Sequence, residues 1–423
     1  MRARRRVAVW VAVAAALAAT SRAAAAQDPQ DTCFRCHRII DEERFSAPVR
    51  EYVDDVHYAK GFRCTACHGG DSRAMGPAAK DPAKGYIGIP VRSEIPALCG
   101  RCHSDARFMK NYNPALRVDQ EAEYQTSTHG QRLFGEDDPN VATCTSCHTA
   151  HSIRPPSAPQ SSVHPTRVAE TCSACHADTA RMASYAIPTD QLDEYRKSVH
   201  WKAMDEGDVS APTCNDCHGN HGAAPPEVDW VGNVCGQCHT AQQDFFDASP
   251  HVSAFSQLGR PGCVGCHGNH SIAQATDDML GLGAGSVCAE CHEAGDQGGQ
   301  AAVAMQRLIR VLERDREHAD SLLASAEHAG IEVSQARFEL EDATNAIVRA
   351  RASTHAAVID SLEARVQEGQ TITGKASERG RSAFRDLRIR RLGLAVSSAI
   401  IVLLIAGLVM KIREVEGKEG RHG

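Results

Sequence analysis

Aromatic side chains are scarce, at 5% of 423 residues. Up to residue 299 the chain is instead rich in Gly, Pro, Asp and His. A segment this poor in large apolar side chains cannot rely on an ordinary core and needs disulfides, metals or cofactors for cohesion. A basic excess is also missing. The formal net charge is −7, which argues against nucleic acid as a partner and says little about fold. No cysteine stands alone, since each of the 18 sits in a Cys-x-x-Cys-His motif. Proline is absent after residue 299, and Gly330 is the only glycine from 301 to 368. That stretch has almost no helix breakers and reads as long helices.

The chain opens with Arg2, Arg4, Arg5 and Arg6, followed by an apolar run from Val7 to Ala19 and small residues up to Ala26. This is the layout of a secretory signal peptide over 1–26, cleaved at an Ala-x-Ala site before Gln27. The alternative is an uncleaved anchor, for which the apolar run is short. Cleavage removes five arginines and no acid, so the exported chain is more acidic still.

The nine motifs are Cys33 and Cys36 with His37, Cys64 and Cys67 with His68, Cys99 and Cys102 with His103, Cys144 and Cys147 with His148, and Cys172 and Cys175 with His176. Cys214 and Cys217 with His218, Cys235 and Cys238 with His239, Cys263 and Cys266 with His267, and Cys288 and Cys291 with His292 complete the set. Two thiols at this spacing can form thioethers with the two vinyl groups of one haem, and the next histidine then becomes the proximal iron ligand. Zinc sites use Cys pairs but need no histidine directly after each. Disulfides suit an exported protein but leave that histidine unexplained. The expected cofactor is haem c, nine times and covalent. Its attachment outside the cytoplasm agrees with the signal peptide.

An internal repeat organises the motifs. Each copy has a leading histidine, a motif, a histidine three residues later, and a second motif. The copies span about 57–108, 129–181, 200–246 and 251–297. The leading histidines are His57, His129, His200 and His251, the last three preceded by Ser127, Ser198 and Ser249 as Ser-x-His. The histidines three after the first motif are His151, His221 and His270, whereas the first copy has Asp71 there. The doubled motif resembles the periplasmic decahaem and pentahaem electron-transfer cytochromes over roughly residues 30–295. The resemblance implies that His57, His129, His151, His200, His221, His251 and His270 are distal haem ligands. His164, between two motifs, is a further candidate. These make eight spare histidines for nine sixth positions. One haem is therefore open, or takes a methionine or a histidine from elsewhere. Met75, Met109, Met182, Met204 and Met279 read as packing residues more than ligands.

The expected fold is mainly α with extensive irregular loops, packed around covalent haems, then a long helical hairpin and one transmembrane helix. Short helices surround each motif, because Pro77, Pro82, Pro155, Pro156, Pro225 and Pro226 interrupt any longer period. The haem domain is expected over 27–298. Over 299–390, Met305, Leu308, Leu312, Ala319, Leu322 and Ala326, then Phe338, Ala343, Ile347, Ala350, Ile359, Leu362 and Val366, follow helical spacing. They predict a hairpin of about 300–329 and 331–368 turning at Gly330, then a linker. His318, His328 and His355 lie on it, either as surface histidines or with one of them reaching a haem. A long helical segment after the last haem is also similar in layout to the nitrite reductase and hydroxylamine oxidoreductase-like enzymes. Residues 391–411 contain 19 uncharged residues from Leu392 to Met410, enough to span a membrane, and 412–423 form a cytoplasmic tail. Arg385, Arg388, Arg390 and Arg391 on the outer flank run against the positive-inside rule, but haem attachment fixes the large domain outside.

These features point to a membrane-anchored, extracytoplasmic nonahaem cytochrome, single-pass through the cytoplasmic membrane. It is expected to carry electrons in anaerobic respiration between a quinone-linked, multi-span partner such as a cytochrome b and periplasmic cytochromes or a terminal reductase. The competing expectation is an enzyme reducing nitrite, hydroxylamine or a sulfur oxyanion at the one haem without a distal histidine. Six-coordinate irons favour transfer over catalysis.

Overall fold

A computed structural model describes residues 31–226 and 231–419. The expected signal peptide and the last residues of the expected tail lie outside the described residues. The fold is mainly helical, with no strand among the described residues. It divides into two compact units, Met1–Pro226 with His270–Ile272, and Glu227–Asn269 with Ala273–Gly423. The division thus runs through the third repeat, whereas the sequence placed a boundary at 298/299.

In the first unit, short helices punctuate irregular loops, as the proline pattern predicts. First motifs form five-residue helices: Cys64–His68, Cys144–His148 and Cys214–His218. Second motifs close longer ones, Ile95–His103 and Pro165–His176. The Ser-x-His signature is a helix N-cap. Buried Ser127 Oγ accepts from Gly130 N–H at 2.9 Å, and Ser198 Oγ from Trp201 N–H at 3.0 Å. In the first repeat Asp55 does the same work, accepting from His57 N–H at 2.8 Å. Such caps satisfy helix N–H groups that lack an intrahelical partner.

Each leading helix is then tied to the next repeat by the backbone. Val56 N–H donates to Ile153 O at 2.8 Å, Thr128 N–H to Ala223 O at 3.0 Å, and Val199 N–H to Ile272 O at 2.8 Å. The acceptor always lies two residues after the post-motif histidine. Successive repeats are therefore interlocked, which is why residues 270–272 belong to this unit. Among its described residues the buried apolar cluster is small, formed by Tyr124, Leu133 and Val141.

The second unit contains the only large apolar core among the described residues. Helix α1 (Gln297–His328), α2 (Ser334–Ser353) and α3 (Ile359–Glu419) pack on one another. The expected two-helix hairpin is thus three helices. The turn at Gly330 is present, but the chain breaks again through the Thr354–Ala356 turn and Ala357, whose φ is 52°. Met305, Ile309, Leu312, Ile347, Ala350, Leu362 and Val366 share one core cluster. Leu362 and Val366 reach it from α3 and not from α2. At the crossing of α1 and α3, a Cβ on Gly369 would sit 2.7 Å from Leu312 Cδ1, so any larger residue there would displace the buried Leu312 side chain. The fourth repeat is fastened to the bundle by Arg351, which donates to Asp277 at 2.9 Å and also pairs with Glu313.

Helix α3 has 61 residues and is roughly 90 Å long. Its apolar stretch reaches a mean hydropathy of 2.7, and none of it is buried. This helix is long and apolar enough to cross a membrane, as a single-pass C-terminal anchor would be.

Candidate metal centres formed by paired imidazoles

The motif histidines meet the spare histidines in twos. In the first unit His57 faces His103 at a ring-centroid distance of 5.9 Å. His68 faces His151, His129 faces His176, His148 faces His221, and His218 faces His270, each at 6.1 Å. In the second unit His251 faces His292, and His267 faces His355, again at 6.1 Å. Two imidazoles bound through Nε2 on opposite sides of one metal stand roughly 6 Å apart between centroids, from two metal–nitrogen bonds of about 2 Å and about 1 Å of ring on each side. Ring packing alone would scatter over several tenths of an ångström as the interplanar angle changes. Here the angles run from 14° to 89° while the distance stays within 0.2 Å.

A rule governs the partners. A leading histidine faces the second motif of its own repeat, as His57, His129 and His251 do. A post-motif histidine faces the first motif of the preceding repeat, as His151, His221 and His270 do. The fourth repeat has no successor, and His355, at the break between α2 and α3, takes that place opposite His267. A turn sets the register. The residue after each first-motif histidine has positive φ: Gly69 at 68°, Thr149 at 67°, Gly219 at 86° and Gly268 at 72°.

The donor set suits haem iron. Nδ1 of His68 is 2.7 Å from Gly88 O, Nδ1 of His355 is 2.9 Å from Ala352 O, and Nδ1 of His57 is 2.9 Å from Asp55 Oδ1. An Nδ1–H held in this way leaves Nε2 to the metal. Burial is the main cause that pushes His103, His129, His148, His151, His176, His221, His251, His267 and His270 below their usual pKa, towards the neutral, metal-binding form. No group of three or more potential metal-ligating side chains occurs among the described residues. Imidazoles here come two at a time.

Neighbouring motifs follow chain order. In the first unit Cys33 acts on Cys64, pushed up to about 12 by burial, then Asp31, then Cys33. Burial and then Cys102 raise Cys67. Cys99 and Cys144 act on one another, and so do Cys172 and Cys214. Burial raises Cys147, with Cys144 and Cys175 adding to it. In the second unit Cys235 hydrogen-bonds Cys263, and Cys266 is pushed up to about 11 by burial and then Cys288.

His200 lies on the Val199–Asp205 helix, and His239 precedes the Thr240–Asp247 helix. His164 caps the Pro165–His176 helix, with Nδ1 2.8 Å from Thr166 Oγ1. It faces no second imidazole among the described residues, and Nε2 is the nitrogen not engaged with Thr166. His37 contacts the Phe45 ring edge-on at 5.8 Å. Met109, Met182 and Met204 are buried in packing, and Met75 is exposed. His328 bonds within α1, Nδ1 to Ala324 O at 2.7 Å. His355 is the residue that composition and spacing hid. The available signal was the repeat itself, in which the last first motif has no following copy to supply a partner. No protein-family model, no curated protein and no solved structure matches this chain.

Proposed function

We propose that the chain is an extracytoplasmic nonahaem c-type cytochrome, anchored by α3, that relays electrons between a quinone-linked membrane partner and periplasmic acceptors. The observation that carries this reading is the imidazole pairs at 5.9–6.1 Å described above, each containing one Cys-x-x-Cys-His histidine. When bound, haem supplies a one-electron couple whose potential follows axial ligation, burial and nearby charge.

The chain's own residues do the rest. Paired thiols would hold each group covalently, and in the pairs described the motif histidine and its facing partner would both bind it. A site with both positions filled leaves no room for substrate, which suits transfer over catalysis. Carboxylates tune some ligands: Asp296 Oδ1 lies 3.2 Å from Nδ1 of His292, as Asp55 does for His57. A carboxylate there makes the imidazole a stronger donor and lowers the potential of the metal it binds. The sequential contact of motifs within each unit provides an ordered relay. One span has no room for a quinone pocket of its own, so a multi-span partner must supply it.

Mass spectrometry of the chain purified from a host that matures haem c provides the test. Nine haem additions are expected, with no reduction of the isolated protein by a quinol. Fewer additions, or direct reduction without a partner, would refute the reading.

A further inference from the structure

We propose that the outer face of the first motif helix, made by Arg35, Arg38 and Ile39, is where a soluble one-electron carrier with an acidic surface docks. The inference rests on the haem reading above and names the kind of partner that one end of the relay takes. Spacing on the helix carries the first step. Cys33, Cys36 and His37 lie at i, i+3 and i+4 on the Thr32–Arg38 helix, so they share the face that would hold the group. Arg35, Arg38 and the C-cap Ile39 repeat the same spacing two residues later, about 200° around the axis. Filling the site therefore leaves them uncovered. Ile39 is 79% exposed, and Arg35, Arg38 and Cys36 are exposed beside it.

Charge identifies the occupant. The chain has a net charge of −7, so as a whole it repels an acidic protein. The first motif helix is a local exception. Neither Arg35 nor Arg38 makes an ion pair among the described residues. The nearby Glu42 and Glu43 are already paired, with Arg44 and Arg50. Exposed Asp41 sets one negative charge against the two arginines, and Lys80 adds a cation beside Cys33 that opposes buried Asp31. Arg101 is the other basic residue between two motif cysteines, and it instead donates to Cys67 O at 3.3 Å and Leu98 O at 3.4 Å.

The place in the relay fits an exchange point. Motifs follow one another in chain order, and the first, beside Cys64 of the second, stands at one end of that order. The last motif has the opposite character. Exposed Glu290 and Glu293 flank its exposed Cys291, with Arg260 3.5 Å from Glu290. A carrier that suits the arginines does not suit this acidic end, so the two ends select different partners. A single apolar side chain between two cations makes a small contact, as brief electron-transfer encounters require. The arginines then raise the encounter rate more than the affinity.

The test uses the full-length haem-loaded protein in detergent, with rubredoxin, a small acidic one-electron carrier, as the probe. Mass first establishes nine haems, and a lower count would remove the haem reading together with the proposal. NMR with isotope-labelled, zinc-substituted rubredoxin, which accepts no electron, reads binding alone. Stopped-flow mixing of the reduced protein with oxidised iron rubredoxin reads electron exchange. Two net-negative proteins repel, so affinity and rate that rise as salt is lowered require a local basic face. That rise is expected, and the double variant Arg35→Glu, Arg38→Glu should lower both about tenfold at low salt. A basic single-haem cytochrome c should react with the double variant no more slowly than with the unaltered protein. Affinity and rate that fall as salt is lowered, or that the double variant leaves unchanged, overturn the proposal and leave the relay reading standing. So does an equal loss with both carriers. If the double variant loads fewer haems, Ile39→Asp decides. It should weaken rubredoxin binding about fivefold or more, and no change would overturn the docking face.

Discussion

His355 and His164 make opposite predictions from similar chemistry. Both are histidines outside the motifs, and the sequence favoured His164, which lies between two haem motifs. The structure instead holds His355 6.1 Å from His267 and ties its Nδ1 to Ala352 O. His355→Ala should therefore convert one low-spin haem to high-spin, read by EPR, with the haem count unchanged. His164→Ala should leave the spin state untouched and cost at most about 1 kcal/mol in chemical denaturation, the worth of a helix cap. Equal spectra for the two variants would remove the pairing rule. The motif histidines were readable from the chain, because each directly follows a pair of cysteines three positions apart. The leading and post-motif histidines were visible as a repeat, but their partners were not, since a post-motif histidine answers to a motif more than fifty residues away.

Among the elements, the break between α2 and α3 was the hardest to foresee. Ile347, Ala350, Leu362 and Val366 continue one apolar period, and neither glycine nor proline marks the reversal between them. The turn is made by Ala357 in the left-handed region, at φ 52°. That conformation costs an L-residue about 1–2 kcal/mol, and it persists because the cores on both sides and Ser353 Oγ bonded to Ala350 O at 2.8 Å over-determine it. Ala357→Gly should relieve the strain, offset in part by the greater freedom of glycine in the unfolded chain, for a net stabilisation of about 0.5–1 kcal/mol. Ala357→Val should destabilise by more than about 1 kcal/mol, since a β-branched residue fits that region worst. Urea titration of the haem-loaded protein measures both. If glycine destabilises, strain at this turn is not what the fold carries. The gain in reading helices here as opposed to a hairpin is functional, because the break is what presents His355.

Over the whole molecule, two kinds of imidazole pair alternate along the chain. Pairs made by a first motif and a post-motif residue have nearly parallel rings, at 17° for His68 and His151, 14° for His148 and His221 and 19° for His218 and His270, and His355, in the place of a post-motif residue, stands at 22° to His267. Pairs made by a second motif and a leading histidine are crossed, at 89° for His57 and His103, 61° for His129 and His176, and 63° for His251 and His292. The difference originates in local structure. A post-motif histidine follows a positive-φ turn, whereas a leading histidine sits in the first turn of a capped helix. Ligand-plane orientation fixes the splitting of the two d orbitals that share three electrons in a low-spin ferric iron. Parallel rings separate them and crossed rings leave them nearly degenerate. The oxidised protein should therefore show two families of low-spin EPR signals, a rhombic one from the parallel pairs and a strongly anisotropic one from the crossed pairs. Substitutions should sort by family: His221→Ala should remove intensity from the rhombic signals alone, and His129→Ala from the anisotropic signals alone. Loss from the same family in both variants would mean that the alternation of sites along the relay is wrong, even with every haem in place.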